Sequence, residues 1–320
     1  MKAISVNEFG GPEVMIYQDL PDLKPSGQQV LVAVKAAGVN PVDTYIRSGT
    51  HAVKPDLPYT PGKDAAGVVA AVGSDVSEFA VGERVYTSGS VSGTYAECCL
   101  CSESQVHKLP ENITFEQGAG VFVPYATAFR ALFQKAKAKK GETVLIHGAS
   151  GGVGIAAIQW AKNAGLRVFG TAGSDSGRQL AADQGADQVF DHSKENYLEQ
   201  IKSSTGGKGV DIILEMLANE NLQKDFEVLA MFGRISVIGN RGSIEFNPRL
   251  AMGKDAGIFG MSLFNAPETD MSEITEAIFQ GLKSGFLQPV VGRRFELSDA
   301  KLAHRAVIEE KAFGKIVLIP

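Results

Sequence analysis

The chain has 320 residues, enough for two domains with sizeable cores. Apolar residues make up 44%, charged residues 21%, and the formal net charge is −5, an ordinary globular balance. That mild acidity gives no electrostatic ground for a nucleic-acid or membrane partner.

Met1 to Val6 runs directly into strand-like alternation, with no signal-peptide pattern. No apolar run reaches the length of a membrane span, so a cytoplasmic location is expected. Up to about residue 123 the chain is rich in Val, Gly and Pro, in short segments broken by turns. Gln29–Val39, Gly67–Gly73 and Glu83–Thr87 read as strands of a twisted β-rich domain. Cys98, Cys99 and Cys101 fall in a strand-like stretch. A zinc reading lacks a fourth ligand and suitable spacing, so the three read as buried small side chains in a reducing compartment.

From about residue 124 strands and amphipathic helices alternate. Strands are predicted at Val144–Gly148, Arg167–Thr171, Gln188–Asp191, Asp211–Leu214, Arg234–Ile238 and Ile258–Met261. Helices are predicted between them, including Val153–Ala164 and Asn221–Met231. This alternation implies a parallel sheet wound on both faces. Beyond about 265 come a helix (Met271–Lys283), a strand (Arg294–Leu297), a helix starting at Ser298 and Asp299 and ending at Glu309, and a last strand, Gly314–Ile319. That last strand is expected to pair with the N-terminal β-rich domain.

The stretch Thr143–Ala157 is the most informative in the chain. It reads as a buried strand, a turn with Gly148, Gly151, Gly152 and Gly154, and the start of a helix. Such a turn lets backbone approach a pyrophosphate and aims a helix N-terminus at the anion. In NAD-binding units an acidic residue follows about 20 positions later and binds the ribose 2′-hydroxyl. Here that place is held by Ala172 or Gly173, and Asp175 reads as a helix cap. A neutral small residue favours NADPH over NADH. Ser174, Arg178, His192 and Arg241 are placed at the same sheet edge to meet a 2′-phosphate.

The chain resembles the zinc-independent quinone reductases of the medium-chain dehydrogenase/reductase superfamily, the zeta-crystallin group. The likeness rests on Glu8–Val14, Gly38–Gly49, Pro58–Gly62, the glycine turn, Glu215–Asn219 and Ala303–His304. It implies an α/β architecture: a discontinuous β-rich, GroES-like substrate domain (1–123 and 265–320) plus a doubly wound parallel-sheet (Rossmann) domain (124–264). It implies NADPH as cofactor, with contacts from Tyr45, Ser150, Gly151, Gly152, Val153, Gly173, His192, Asn221, Ile238, Gly239, Asn240 and Arg241, and an active site in an interdomain cleft. Zinc-dependent relatives carry Cys where this chain has Asn40, and Gly-His-Glu where it has Gly62-Lys63-Asp64. The lysine ammonium has no lone pair for a metal, so no metal site is expected.

The resulting expectation is an NADPH:quinone oxidoreductase that reduces quinones by hydride or electron transfer. Asn40, Tyr45, Tyr59 and Lys63 line the cleft and polarise the acceptor, with no covalent nucleophile. Reduction of enones or 2-alkenals is the alternative at the same site. His51 stands where many relatives have an aromatic residue, which bears on substrate range. A role of another class, as a crystallin-like structural protein or a binder of AU-rich RNA, is implied only by the resemblance. A homodimer or homotetramer is expected through an apolar edge strand near Ile258–Phe264.

Overall fold

The computed structural model describes residues 1–311 and 313–320. The chain divides into two compact units. One comprises Met1–Val123, Phe279–Glu310 and Gly314–Pro320; the other comprises Pro124–Ile278 and Lys311–Phe313. The division near 279 falls inside the Glu268–Ser284 helix, beyond the boundary of 265 read from sequence texture.

In chain order, the first unit opens with β1 (Lys2–Val6), β2 (Met15–Asp19), β3 (Gln29–Val39), β4 (Asp64–Val72), β5 (Arg84–Thr87), β6 (Cys98–Ser102) and β7 (Val106–Lys108). The second unit holds β8 (Thr143–Ile146), β9 (Arg167–Thr171), β10 (Gln188–Phe190), β11 (Val210–Glu215), β12 (Leu229–Val237) and β13 (Gly257–Gly260). The chain closes in the first unit with β14 (Val291–Glu296) and β15 (Lys315–Ile319).

In the first unit β1 and β2 form an antiparallel pair. A seven-stranded sheet runs β14-β15-β3-β4-β5-β7, with β6 also on β3. Val30, Val32 and Val34 alternate inward along β3 and meet Val69, Val85, Cys99 and Leu318 in one core. β15 is antiparallel to β3 and parallel to β14, the pairing expected of a short apolar strand that cannot stand alone.

All strand pairs of the second sheet are parallel, in the order β10-β9-β8-β11-β12-β13. This is the doubly wound order that reverses between the first and fourth strands of the unit. Val144, Leu145 and Ile146 of β8 are fully buried, as both-face coverage requires of a central strand. Among the described residues, no helix is long and apolar enough to cross a membrane.

Some predicted ends move. The Asn221–Met231 helix is instead Ala218–Val228, because Leu229 already pairs with Val210 as the start of β12. The final helix starts at Ala300, after a short 3₁₀ turn at Leu297–Asp299, with Asp299 at its N-cap position but making no side-chain cap hydrogen bond. Ser174, not Asp175, caps the Asp175–Asp183 helix: its Oγ accepts from Gly177 N at 3.1 Å. The edge strand β13 ends at Gly260, and Leu263–Asn265 forms a turn with Leu263 buried.

Candidate active site

Parallel strands deliver their carboxyl ends to one edge of the second sheet. The glycine turn leaves β8 there, Gly173 and Ser174 follow β9, His192 follows β10, and Ile238–Arg241 follow β12. Asn221 lies in the first turns of the helix after β11. The Gly152–Asn163 helix starts at Gly151 without a side-chain cap, and a helix start of this kind can present its first amides to an anion. A Cβ on Gly154 would sit 2.3 Å from the Gly148 carbonyl oxygen, so only glycine allows turn and helix to pack this closely. A Cβ on Gly173 would lie 2.7 Å from His192 Nε2. The first glycine lets the turn close onto the helix start and the second leaves room for the His192 ring, an arrangement compatible with the dinucleotide-binding turn.

Ala172 is buried and no acid takes the ribose position. The four polar groups expected at this sheet edge are found in different states. Ser174 Oγ caps its helix and still carries its own proton. Arg178 pairs with Asp175 and, at 3.1 Å, with Asp191. His192 is held below its ordinary pKa, first by desolvation and then by the charges of His147, Lys311 and Arg178. The Arg241 amide donates to Asn219 Oδ1 at 2.9 Å, tying the loop after β12 to the loop after β11. Lys311 was not singled out from sequence. Its Nζ donates to the Gly173 carbonyl at 2.8 Å, bringing a cation to the edge from 138 positions away.

In the first unit, Asn40-Pro41 starts the Pro41–Arg47 helix, with Pro41 in the first turn and Asp43 reaching back to Asn40 N at 2.9 Å. Asn40 itself is buried. Its Nδ2 donates to Asp64 Oδ2 at 3.0 Å, and its Oδ1 accepts from Lys315 Nζ at 2.6 Å. Lys315 Nζ also meets Asp64 Oδ2 at 2.9 Å, with side chains 5% and 1% exposed. Asp64 Oδ1 accepts from Val123 N. A lysine ammonium therefore sits against the Asn40 and Asp64 side chains.

A directed chain runs from this network. Arg47 can only donate, so His304 Nδ1 accepts its hydrogen bond at 3.3 Å and the proton of neutral His304 is on Nε2. Nε2 then donates to the Tyr95 hydroxyl at 3.1 Å, and Tyr95 donates to Asp43 Oδ2 at 3.2 Å. Burial, with the Arg47 charge, pushes His304 down to about 3. Burial pushes the Asp43 carboxyl up to about 6, against the opposing pull of Asn40 N–H and Lys315.

Asp43 opens onto a cavity of about 520 Å³ that is also lined by Ile46, Pro58, Tyr59, Lys63 and Val91. Tyr59 and Lys63 thus share a cavity with an aspartate that sequence reasoning had not named, while Asn40 lies in the buried network behind Asp43. The Tyr59 hydroxyl is buried with no hydrogen-bond partner among the described residues. Burial, and next the Asp43 charge, raise it to about 12, so it stays a donor. Tyr45 is half-buried on the same helix as Asp43. His51 Nδ1 accepts from Val53 N at 3.1 Å in a local turn. Cys99 and Cys101 are buried, with sulfurs 3.9 Å apart.

Comparisons with known proteins fit this geometry. Residues 26–128 match the alcohol dehydrogenase GroES-like domain family, and residues 152–280 match the zinc-binding dehydrogenase family. The human quinone oxidoreductase is 48% identical over 100% of this chain and 98% of its own. The solved Escherichia coli quinone oxidoreductase, complexed with NADPH, is 31% identical with a TM-score of 0.91, covering 100% of both chains. The solved CurK enoyl reductase is 28% identical with a TM-score of 0.90, covering 99% of this chain and 98% of its own. With a GroES-like unit, a Rossmann-like unit and full-length identity of this order, the chain belongs to the quinone oxidoreductases of the medium-chain dehydrogenase/reductase superfamily.

Proposed function

We propose that this oxidoreductase uses NADPH to reduce a quinone, with Asp64 and Lys315 forming a closed ion pair in place of metal ligands. The observation that carries the reading is, within the second unit, a sheet edge with Ala172 in place of an acid and the Lys311 ammonium on the Gly173 carbonyl; within the first unit, a cavity lined by Asp43, Tyr59 and Lys63 supports it. The uncapped helix start at Ser150, Gly151, Gly152 and Val153 would hold the pyrophosphate. Lys311, His192, Ser174, Arg178 and Arg241 would meet the 2′-phosphate, while Gly173, Asn221, Ile238, Gly239, Asn240 and Tyr45 would complete the contacts. When bound, NADPH supplies a hydride.

The chain's own residues do the rest. Tyr59 donates to a quinone oxygen as negative charge develops there, an interaction worth most where water is excluded. Lys63 adds positive charge to the same cavity wall. Hydride addition leaves a hydroquinone monoanion, which needs one proton. A protonated Asp43 would supply it, and Tyr95 and His304 hold its carboxyl in place. The Asn40 amide and the Lys315 ammonium fix the floor of this arrangement.

A 2-alkenal or enone presents the same polarised oxygen, and the likeness to an enoyl reductase keeps that second reading in play. The edge strand β13 exposes Ile258 and Phe259, each 38% accessible, and Phe264 nearby is 50% accessible. We propose that a second copy pairs along it to form a dimer, which light scattering tests: a clean monomer would refute this. The primary test is steady-state turnover with NADPH or NADH against an ortho-quinone and a 2-alkenal. Inactivity on every quinone would refute the quinone reading, and preference for NADH would refute the cofactor reading.

A further inference from the structure

Behind the nucleotide edge lies a buried titratable cluster that hydride transfer does not use. His147 follows β8, Glu215 ends β11, and Asp225 lies in the Ala218–Val228 helix; their exposures are 4%, 0% and 0%. His147 Nε2 is 2.9 Å from Asp225 Oδ1 and 3.5 Å from Glu215 Oε2, and Nδ1 is 3.2 Å from Thr171 Oγ1. One donor atom from each of the three lies within 4.8 Å of the others. Glu215 Oε2 and Asp225 Oδ2 are buried, and neither accepts a hydrogen bond among the described residues. Two ionised carboxylates within this distance and away from water repel each other and are poorly solvated, and a single carboxyl proton shared by them relieves both.

The other Glu215 oxygen faces the cofactor edge. Oε1 accepts from Leu217 N and, at 3.3 Å, from Asn221 Nδ2. Within that turn Asn219 Oδ1 accepts from Arg241 N. We propose that Glu215 and Asp225 share one proton, and that this proton holds the Leu217–Asn221 turn in its NADPH-binding form, making these three side chains positioning residues for the cofactor. The proposal rests on the NADPH reading above.

The direction follows from charge. With His147 protonated and one proton between the carboxyls, the cluster is neutral. Losing the shared proton leaves a buried negative charge behind the edge that receives the phosphates, and NADPH affinity falls. Burial, opposed by the His147 charge and reinforced by that of Asp225, pushes Glu215 up to about 7. Burial disfavours the charged His147, but Asp225 and Glu215 outweigh it and raise its pKa. Tyr197 also faces the cluster, its hydroxyl pushed up to about 12 by burial and by both carboxylates; His192 faces it from the end of β10, backed by Asp191, Arg178 and Lys311.

The test is NADPH titration of the whole chain across pH, for the unmodified protein and for Glu215→Gln. The glutamine keeps the acceptor toward Leu217 and offers a permanent N–H toward Asp225. The unmodified protein should lose affinity as pH rises through about 7, approaching tenfold in Kd per pH unit, and Glu215→Gln should hold its affinity. The 2′-phosphate ionises near pH 6 and acts with the opposite sign. A carbon-13 carboxyl titration of the glutamate-labelled unmodified protein avoids any folding defect of the variant. It should show one glutamate titrating near 7, moved upward by NADPH. Equal pH slopes in both proteins, no carboxyl titrating above the ordinary range, or a stoichiometric metal ion in the purified chain would overturn the proposal. A glutamate that titrates near 7 in a chain that binds no NADPH would instead refute the cofactor reading and leave the proton sharing established.

Discussion

Replacing Lys315 by Met tests the ammonium held against the Asn40 and Asp64 side chains. The exchange keeps the aliphatic stem and removes the charge that lies 2.9 Å from Asp64 Oδ2 and 2.6 Å from Asn40 Oδ1. Asp64 is 1% exposed, so water cannot replace the lost partner. Stranding one member of a buried ion pair costs about 3–5 kcal/mol. At about 2–4 °C per kcal/mol for a unit of this size, Tm should drop by about 6–20 °C. Adding Asp64→Asn removes the stranded charge. The new amide can accept from Val123 N and, once the Asn40 amide turns over, donate to Asn40 Oδ1, so the double variant should recover most of the loss. Urea and thermal unfolding of the two single variants and the double variant close a double-mutant cycle. A Lys315→Met penalty below about 1 kcal/mol, or a double variant no more stable than Lys315→Met alone, would refute the reasoning.

Three further substitutions probe separate parts of the account. Lys311→Ala should raise the Kd for NADPH by about tenfold, since a charge-assisted contact of about 1.4 kcal/mol is lost, while NADH binding should barely change. Gly154→Ala forces a Cβ to within 2.3 Å of the Gly148 carbonyl oxygen, so calorimetry should show a loss of about 1–3 kcal/mol together with weakened binding of both dinucleotides. Asp43→Asn should lower kcat with a quinone by about 100-fold with little change in KM. Its stability effect has a defined sign. The folded carboxyl sits at about 6 against 3.8 when free, so its burial penalty is fully present above pH 6 and is lost as pH falls toward 3.8. At about 1.36 kcal/mol per pKa unit, Asn should stabilise the chain by up to about 3 kcal/mol above pH 6 and by almost nothing near pH 4 in urea titrations.

The nucleotide half was legible in sequence because its signals are local. A buried run, a glycine turn and a helix start within fifteen positions leave little choice of structure, and Ala172 and Gly173 announce the missing acid in place. Strand positions followed from alternation, while the Ala218–Val228 helix ended early because pairing with Val210 is a tertiary fact. The remainder depends on distance in the chain. Lys311 reaches Gly173 across 138 positions, and Lys315 reaches Asn40 across 275. Neither has a local pattern to mark it. No local pattern around Asn40 foretells its buried partners Asp64 and Lys315. His147 and Glu215 lay within motifs already noticed, but only folding places Asp225 beside them. A polar residue at an otherwise apolar strand end was the available signal: His147 follows Val-Leu-Ile, and Glu215 follows Ile-Ile-Leu.

Hydride reduction of a quinone from NADPH, in a site that relies on Tyr59 and Asp43, has a direct kinetic signature. The most direct measurement is kcat/KM of the unmodified chain with NADPH and an ortho-quinone, set beside NADH with the same quinone and NADPH with a 2-alkenal. The account predicts that the first pairing exceeds both others by about tenfold or more, a difference of about 1.4 kcal/mol in transition-state stabilisation. Turnover of the quinone no faster than in the absence of protein, or a higher kcat/KM for the alkenal, would contradict it.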